Sequence, residues 1–214
     1  LPPYNRSLVG LGADVRVTQR NLPHWTVSTG ANASAIYWVT FRLADSIPQE
    51  KLRLWEQARE EWRRAHPQPW NSKTWDEYDE LFGDRFEAWL DQGNGSRALA
   101  RPEIRKAVRN CLMRFDGERL NVRAAVIMPT HVHALLQPLH PHTIAALLKG
   151  LKGASARQAN RLLGAAGVFW QDESYDHIVR SNEQLWHYFR YIEENPRKAG
   201  LRADEYWLYR AAAG

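Results

Sequence analysis

Met128-Pro129-Thr130-His131-Val132-His133-Ala134-Leu135-Leu136 decides how this 214-residue chain is read. Successive side chains of a strand point to opposite faces, so residues two apart share a face. A strand here turns His131 and His133 to one side and sends Val132, Ala134 and Leu136 into a core. Two imidazoles converging on one face suit a divalent cation. The same spacing also describes a strand with two polar residues on its wet face, and spacing alone leaves both readings open.

Residues 120–128, just upstream, read as a strand that becomes apolar on both faces, as strands inside a sheet do. Pro129-Thr130 turns it into the histidine strand, 131–137, so the two form an antiparallel hairpin. Pro138-Leu139-His140-Pro141-His142 closes that strand. His140 and His142 repeat the spacing, but the proline between them argues for a loop. A helix follows over 143–163, with Ile144, Leu147, Leu148 and Leu151 facing inward. It carries Lys149, Lys152, Arg157 and Arg161 and no acidic residue, which suits nucleic-acid phosphates and equally a solvated face. Gly164 and Gly167 end it, Phe169-Trp170-Gln171 leads to a strand over 174–179, and a last helix over 183–194 is capped by Ser181 or Asn182 and stopped by Pro196.

On the N-terminal side, Ile36-Tyr37-Trp38-Val39-Thr40-Phe41-Arg42-Leu43 is β-branched and aromatic and reads as the first strand. Asp45-Ser46-Ile47-Pro48 opens a helix in which Leu52, Trp55, Ala58 and Trp62 recur at helical spacing to about residue 65. His66-Pro67-Gln68-Pro69 breaks it. Ser72 starts a second helix, with Trp75, Tyr78, Phe82, Phe86 and Trp89 as apolar positions and Gly93-Asn94-Gly95 as its end. Pro102 starts a third, carrying Ile104, Val108, Cys111 and Phe115. The tryptophan stripes read as packing surfaces. Residues 1–30 read as an irregular arm with Arg6, Arg16 and Arg20.

The order matches a β-α-β-β-α-β plan, so the expected fold is α+β: a ferredoxin-like antiparallel sheet with an enlarged helical first crossover, 48–115, and one further C-terminal helix. All of 1–214 is read as one domain. The net charge of +5 is compatible with nucleic acid without requiring it. No run of 18 apolar residues exists, so no membrane span is expected. Residues 1–20 lack a signal-peptide layout, and the chain starts at Leu1, as an excised piece would. Cys111 is the only cysteine, which excludes an internal disulfide and a cysteine-based zinc site and fits the cytoplasm.

On the last helix, His187, Tyr191 and Asn195 recur every four residues and share a face. Tyr191 is a candidate nucleophile and Asn195 a candidate oxygen ligand for a hard cation; alone, Tyr191 also fits a packed aromatic. With the histidine pair the set suits a phosphodiester: a metal polarises a non-bridging oxygen and a tyrosine oxygen attacks phosphorus.

Here the sequence resembles a known family. Met128-Pro129-Thr130-His131-Val132-His133 is similar to the HUH motif of single-tyrosine transposases, and Tyr191-Ile192-Glu193-Glu194-Asn195-Pro196-Arg197-Lys198-Ala199-Gly200-Leu201 is similar to their tyrosine helix. It looks most like the REP-associated tyrosine transposases. Asn21-Leu22-Pro23-His24-Trp25 with Val39-Thr40-Phe41-Arg42-Leu43-Ala44-Asp45 resembles their first-strand region, and Phe169-Trp170-Gln171 with Tyr175-Asp176-His177-Ile178-Val179-Arg180 their last strand.

The resemblance implies His131, His133 and Asn195 as ligands of magnesium or manganese. Tyr191 would be the nucleophile that forms a 5′-phosphotyrosine on single-stranded DNA near a hairpin of the REP type, nucleoid-associated and acting as monomer or homodimer. Lys149, Lys152, Arg157, Arg180, Arg197 and Lys198 are the expected DNA-binding residues. Thr130 stands where relatives often carry Asn or Asp, and Glu205-Tyr206-Trp207-Leu208-Tyr209-Arg210 replaces their Trp-Pro-Trp-Ser-Ser segment, which puts tail contacts to the hairpin in doubt. Two alternatives remain: a domesticated hairpin-binding protein with little catalysis, and a metal phosphoesterase in which Tyr191 is structural.

Overall fold

In the computed structural model, which describes residues 34–92, 94–172 and 174–212, five strands form one sheet. They are Tyr37–Arg42 (β1), Leu120–Ile127 (β2), His131–Pro138 (β3), Tyr175–Ile178 (β4) and Trp207–Arg210 (β5). The spatial order is β4-β1-β3-β2-β5, and every neighbouring pair is antiparallel. The first four strands follow the ferredoxin-like plan. The irregular arm expected over 1–30, with the Asn21–Trp25 part of the family resemblance, lies outside the described residues.

β5 was not expected. It pairs Trp207 with Ile127 and Arg210 with Ala124, which converts β2 from an edge strand into an interior one. That explains why β2 is apolar on both faces near its end.

Between β1 and β2 lie Gln49–Ala65 (α1), Ser72–Tyr78 (α2), Asp84–Asp91 (α3) and Pro102–Met113 (α4). The single helix expected from Ser72 to residue 92 is divided by a π-helical turn, Asp79–Gly83. Tyr78, Phe82, Phe86 and Leu90 are buried at steps of four, which outrun the 3.6-residue period. A wider i→i+5 turn restores their common face against Leu52 and Trp55 of α1. The tryptophan stripes are indeed packing: Trp55, Trp62, Trp70, Trp75 and Trp89 all join this satellite cluster.

Ile144–Leu163 (α5) follows β3. Its N-cap is Thr143, whose hydroxyl accepts from the Ala146 N–H, and Gly164 at φ +63° ends it. Asn182–Lys198 (α6) follows β4, with Ser181 as N-cap. Pro196 does not stop α6, contrary to expectation. The helix runs on to Lys198, the Ala199 N–H reaches Asn195 O, and Gly200 at φ +64° provides the stop. Pro196 gives up its bond to the Ile192 carbonyl, but only two residues of helix follow it, so Asn195 stays in register with Tyr191.

The two faces of the sheet are different. Val39, Phe41, Val132, Ala134 and Leu136 meet Ile104, Val108 and Leu112 of α4 and Ile144, Leu148 and Leu151 of α5 in the larger core. Trp38, Ala124, Val126 and Leu135 meet Leu185, Phe189 and Ile192 of α6. A β-bulge between Val122 and Ala124 switches the facing of β2, so Val126 lies opposite His133 on the α6 side. This side is therefore not wet: His131 is 1% exposed and His133 fully buried.

Candidate active site

The register places Arg42 opposite His131 and Thr40 opposite His133, so β1 and β3 build one polar patch on the α6 face of an otherwise apolar sheet. The two imidazoles lie edge to face, centroids 4.5 Å apart. Each Nδ1 is held by a threonine: His133 by Thr40 Oγ1 at 2.8 Å, and His131 by Thr130 Oγ1 at 2.9 Å. The Thr130 hydroxyl also reaches the Leu90 carbonyl of α3 at 3.5 Å. A Thr130 proton turned to Leu90 leaves its oxygen to accept from His131 Nδ1–H. That tautomer puts the imidazole lone pair on Nε2, the arrangement second-shell partners give to metal-binding histidines. Burial holds the His133 pKa down at about 3, so its imidazole is neutral at neutral pH.

Thr40 and Thr130, the partners of the two imidazoles, are candidate site residues absent from the sequence reading. Thr130 was noticed only as a variant motif position. Thr40 carries no local signal, because its role comes from cross-strand register.

α6 brings its side chains onto this patch. The Tyr191 ring meets His133 edge-on, with centroids 5.4 Å apart and planes at 87°, and meets Trp38 in the same way at 5.7 Å. Trp38 lies flat on His133 at 5.1 Å and flat on Tyr188 at 4.6 Å. Aromatic pairs of these geometries contribute about 0.5–1.5 kcal/mol each beyond area burial. Tyr188 bonds His177 Nε2 at 2.7 Å through its hydroxyl, which removes it from the role of an unengaged competitor to Tyr191. Burial, with Arg180 nearby, pushes His177 down to about 4. His187 faces solvent.

One turn beyond Tyr191, Asn195 is 1% exposed, and neither atom of its amide finds a hydrogen-bond partner among the described residues. A buried amide without a partner costs about 1–3 kcal/mol, so this one calls for a partner such as a water or a ligand. Among the described residues no group of three His, Cys, Asp or Glu converges. Were a cation to sit on the two imidazoles, a third protein ligand would have to be of another residue type, and a buried amide oxygen fits a hard cation. Two residues before Asn195, the buried Glu193 carboxylate pairs with Arg210, tying α6 to β5. Burial raises the Glu193 pKa, and Arg210 opposes that shift.

The expected DNA-binding residues separate. Lys149, Arg157, Arg180, Arg197 and Lys198 are exposed. Arg180 stacks over Trp75 at 4.1 Å, and Lys198 pairs with Glu194 at 3.2 Å while lying 5.6 Å from the Tyr191 ring centre. Lys152 is half-buried: its ammonium donates to the carbonyls of Gln171 and Asp172 and to Ser174 Oγ, pinning the approach to β4.

Residues 96–195 match the family model of IS200-like transposases. The matched stretch is just under half the chain and contains the histidine pair, Tyr191 and Asn195. The family resemblance read from the sequence is borne out at this level. Among solved structures, the REP-associated tyrosine transposase bound to a REP hairpin is similar at 15% identity, covering 79% of this chain and 71% of its own, with a TM-score of 0.43. A candidate transposase from Deinococcus radiodurans R1 is similar at 16% identity, covering 78% of this chain and 95% of its own, with a TM-score of 0.33. No curated protein matches the sequence. The IS200-like segment starts after α3, so the α1–α3 helices lie outside it, yet Leu90 of α3 supports the threonine beside His131. Among the described residues no helix is long and apolar enough to cross a membrane.

Proposed function

We propose that the protein is a metal-dependent, single-strand-specific DNA endonuclease and strand transferase that cuts beside DNA hairpins through a 5′-phosphotyrosine. The observation that carries this reading is the edge-on seat of Tyr191 against the buried, neutral His133, with His131 beside it. His131, His133 and Asn195 are the residues to hold magnesium or manganese, which when bound polarises a non-bridging phosphate oxygen.

The protein's own groups do the rest. Thr40 and Thr130 orient the imidazoles, and α6 presents the Tyr191 phenol. Its oxygen attacks phosphorus while the bond from phosphorus to the 3′-oxygen breaks. The phenolic proton leaves to solvent, and the departing oxygen takes one up as a 3′-hydroxyl. One phosphoester replaces another, so rejoining needs no nucleotide cofactor. Lys149, Arg157, Arg180, Arg197 and Lys198 are the groups to neutralise DNA phosphates around the site. The whole chain acts as one unit on this reading, with the 48–115 helices buttressing its histidine strand.

The test is a denaturing gel of labelled single-stranded DNA carrying the palindrome that flanks the gene, with manganese or EDTA. A slow-migrating covalent band that needs manganese and disappears in Tyr191→Phe is expected. A hairpin shift on a native gel with no covalent band in any divalent metal would replace this reading with a binding protein. Hydrolysis of small phosphodiesters surviving Tyr191→Phe would replace it with a phosphoesterase.

A further inference from the structure

Trp38 occupies an unusual position in the aromatic network of the α6 face. Its indole lies parallel to His133, 10° between planes, and parallel to Tyr188, 15° between planes, while Tyr191 abuts it at 89°. It is 3% exposed and anchored on β1, whose pairing with β3 is continuous from Tyr37 to Arg42. One rigid side chain therefore touches a candidate metal-binding imidazole, the candidate nucleophile and the tyrosine one turn before it. Phe41, one strand position from Thr40 but on the opposite face, meets only Trp170 among the described ring contacts. Packing alone asks for apolar bulk at residue 38. Two parallel stacks and one perpendicular contact specify a plane.

We infer that Trp38 is a positioning residue: the plane of its indole fixes the angle between the His133 imidazole and the Tyr191 phenol. The inference rests on the reading of Tyr191 as nucleophile for its kinetic consequence, but not for its structural one. Trp38 sits between the sheet and α6 and tells the helix where the phenol must lie relative to the histidine strand. A ring that rotates freely would let Tyr191 leave the line of attack, and such misplacement costs rate far more than binding.

The experiment compares wild type, Trp38→Phe and Trp38→Leu in two measurements. The first is NMR of the metal-free protein, following the His133 and Tyr191 ring signals assigned through His133→Asn and Tyr191→Phe. Trp38→Leu is expected to shift both, and Trp38→Phe to keep them near the wild-type positions. The second is covalent adduct formation at saturating manganese and DNA. Trp38→Leu is expected to slow it about 10- to 100-fold with hairpin affinity unchanged, and Trp38→Phe to restore most of the rate.

Unmoved ring signals, or a full adduct rate in folded Trp38→Leu, would overturn the inference. Should Trp38→Leu fail to fold, Tyr188→Leu removes the other side of the stack. It is expected to shift the Tyr191 signal and slow the adduct severalfold, and an unchanged Tyr191 signal would equally overturn it. Absence of an adduct in the wild type would sink the proposed function but leave the NMR comparison to decide Trp38.

Discussion

The two faces of the sheet bury similar strands under helices, but they are built on different principles. The α4/α5 face is apolar along its strands, with Val132, Ala134 and Leu136 alternating into it, and its buried Ser155 is fully paired, donating to the Leu151 carbonyl and accepting from the Trp170 indole N–H. The α6 face interrupts an apolar layer with Thr40, Arg42, Thr130, His131, His133 and Asn195, all buried. A buried polar group costs free energy unless it is satisfied. The first face therefore holds the fold, and the second stores polar groups that a ligand would complete. Adjacent residues of β3 serve the two purposes, and the pleat keeps them apart.

The largest effect expected from breaking this contrast is on chemistry. His133→Ala or Tyr191→Phe should lower manganese-dependent adduct formation at least about 1000-fold, as loss of a ligand or nucleophile does. Circular dichroism should show the sheet intact. A variant His133→Ala that retains adduct would erase the functional distinction between the faces.

The mirror experiment is Leu136→Ala on the apolar face. It should cost about 2–5 kcal/mol in chemical denaturation, the range for buried leucines, while the adduct rate per folded molecule stays near wild type. A selective loss of rate without loss of stability would contradict the division of labour.

Thr40→Val tests the support beneath His133. Removing the hydroxyl that holds Nδ1 should weaken manganese affinity about 10- to 100-fold by titration calorimetry, and losing the partner of a buried ring nitrogen should lower stability by about 1–3 kcal/mol. Unchanged affinity would mean that Thr40 only packs.

Metal-free protein should also lose stability in acid. His177 is held neutral by burial in the native state, with its pKa at about 4, whereas in the unfolded chain it titrates near 6.5. Below 6.5 the unfolded state binds more protons, so stability falls as the pH drops towards 4. His133 acts in the same direction, down to about pH 3. Denaturation midpoints measured from pH 7 to 4 should decline in wild type and less steeply in His177→Gln.

The smallest effects belong to the surface. Lys149→Ala or Arg157→Ala should each reduce DNA affinity a few-fold and lower the salt dependence by about one charge. Lys152→Ala should instead lower Tm, because its ammonium serves three internal acceptors.

Much of this was legible locally. The alternation through His131–Leu136 gave the facing of β3, the spacing of Ile144, Leu147, Leu148 and Leu151 gave α5, and the four-residue spacing of Tyr191 and Asn195 gave a shared helical face. Local signals misled where a neighbour in space overrode them. Pro196 reads as a stop, yet the helix continues because its capping glycine is Gly200. Lys152 reads as one of four basic groups on a helix, and the carbonyls it meets come from the β4 approach, which no local pattern announces.

Apart from β5 and the π-helical turn after α2, the sequence by itself determined the element types, the strand order of the hairpin and the residue chemistry of the site, because these depend on periods of 2 and 3.6 within one segment. Only the tertiary structure decided that Thr40 and Thr130 hold the two imidazoles, that Trp38 stacks on both His133 and Tyr188, and that β5 closes the sheet beside β2. Each of these is a meeting of residues far apart in the chain. Register, bulge and helix docking set such meetings, and no local pattern encodes them.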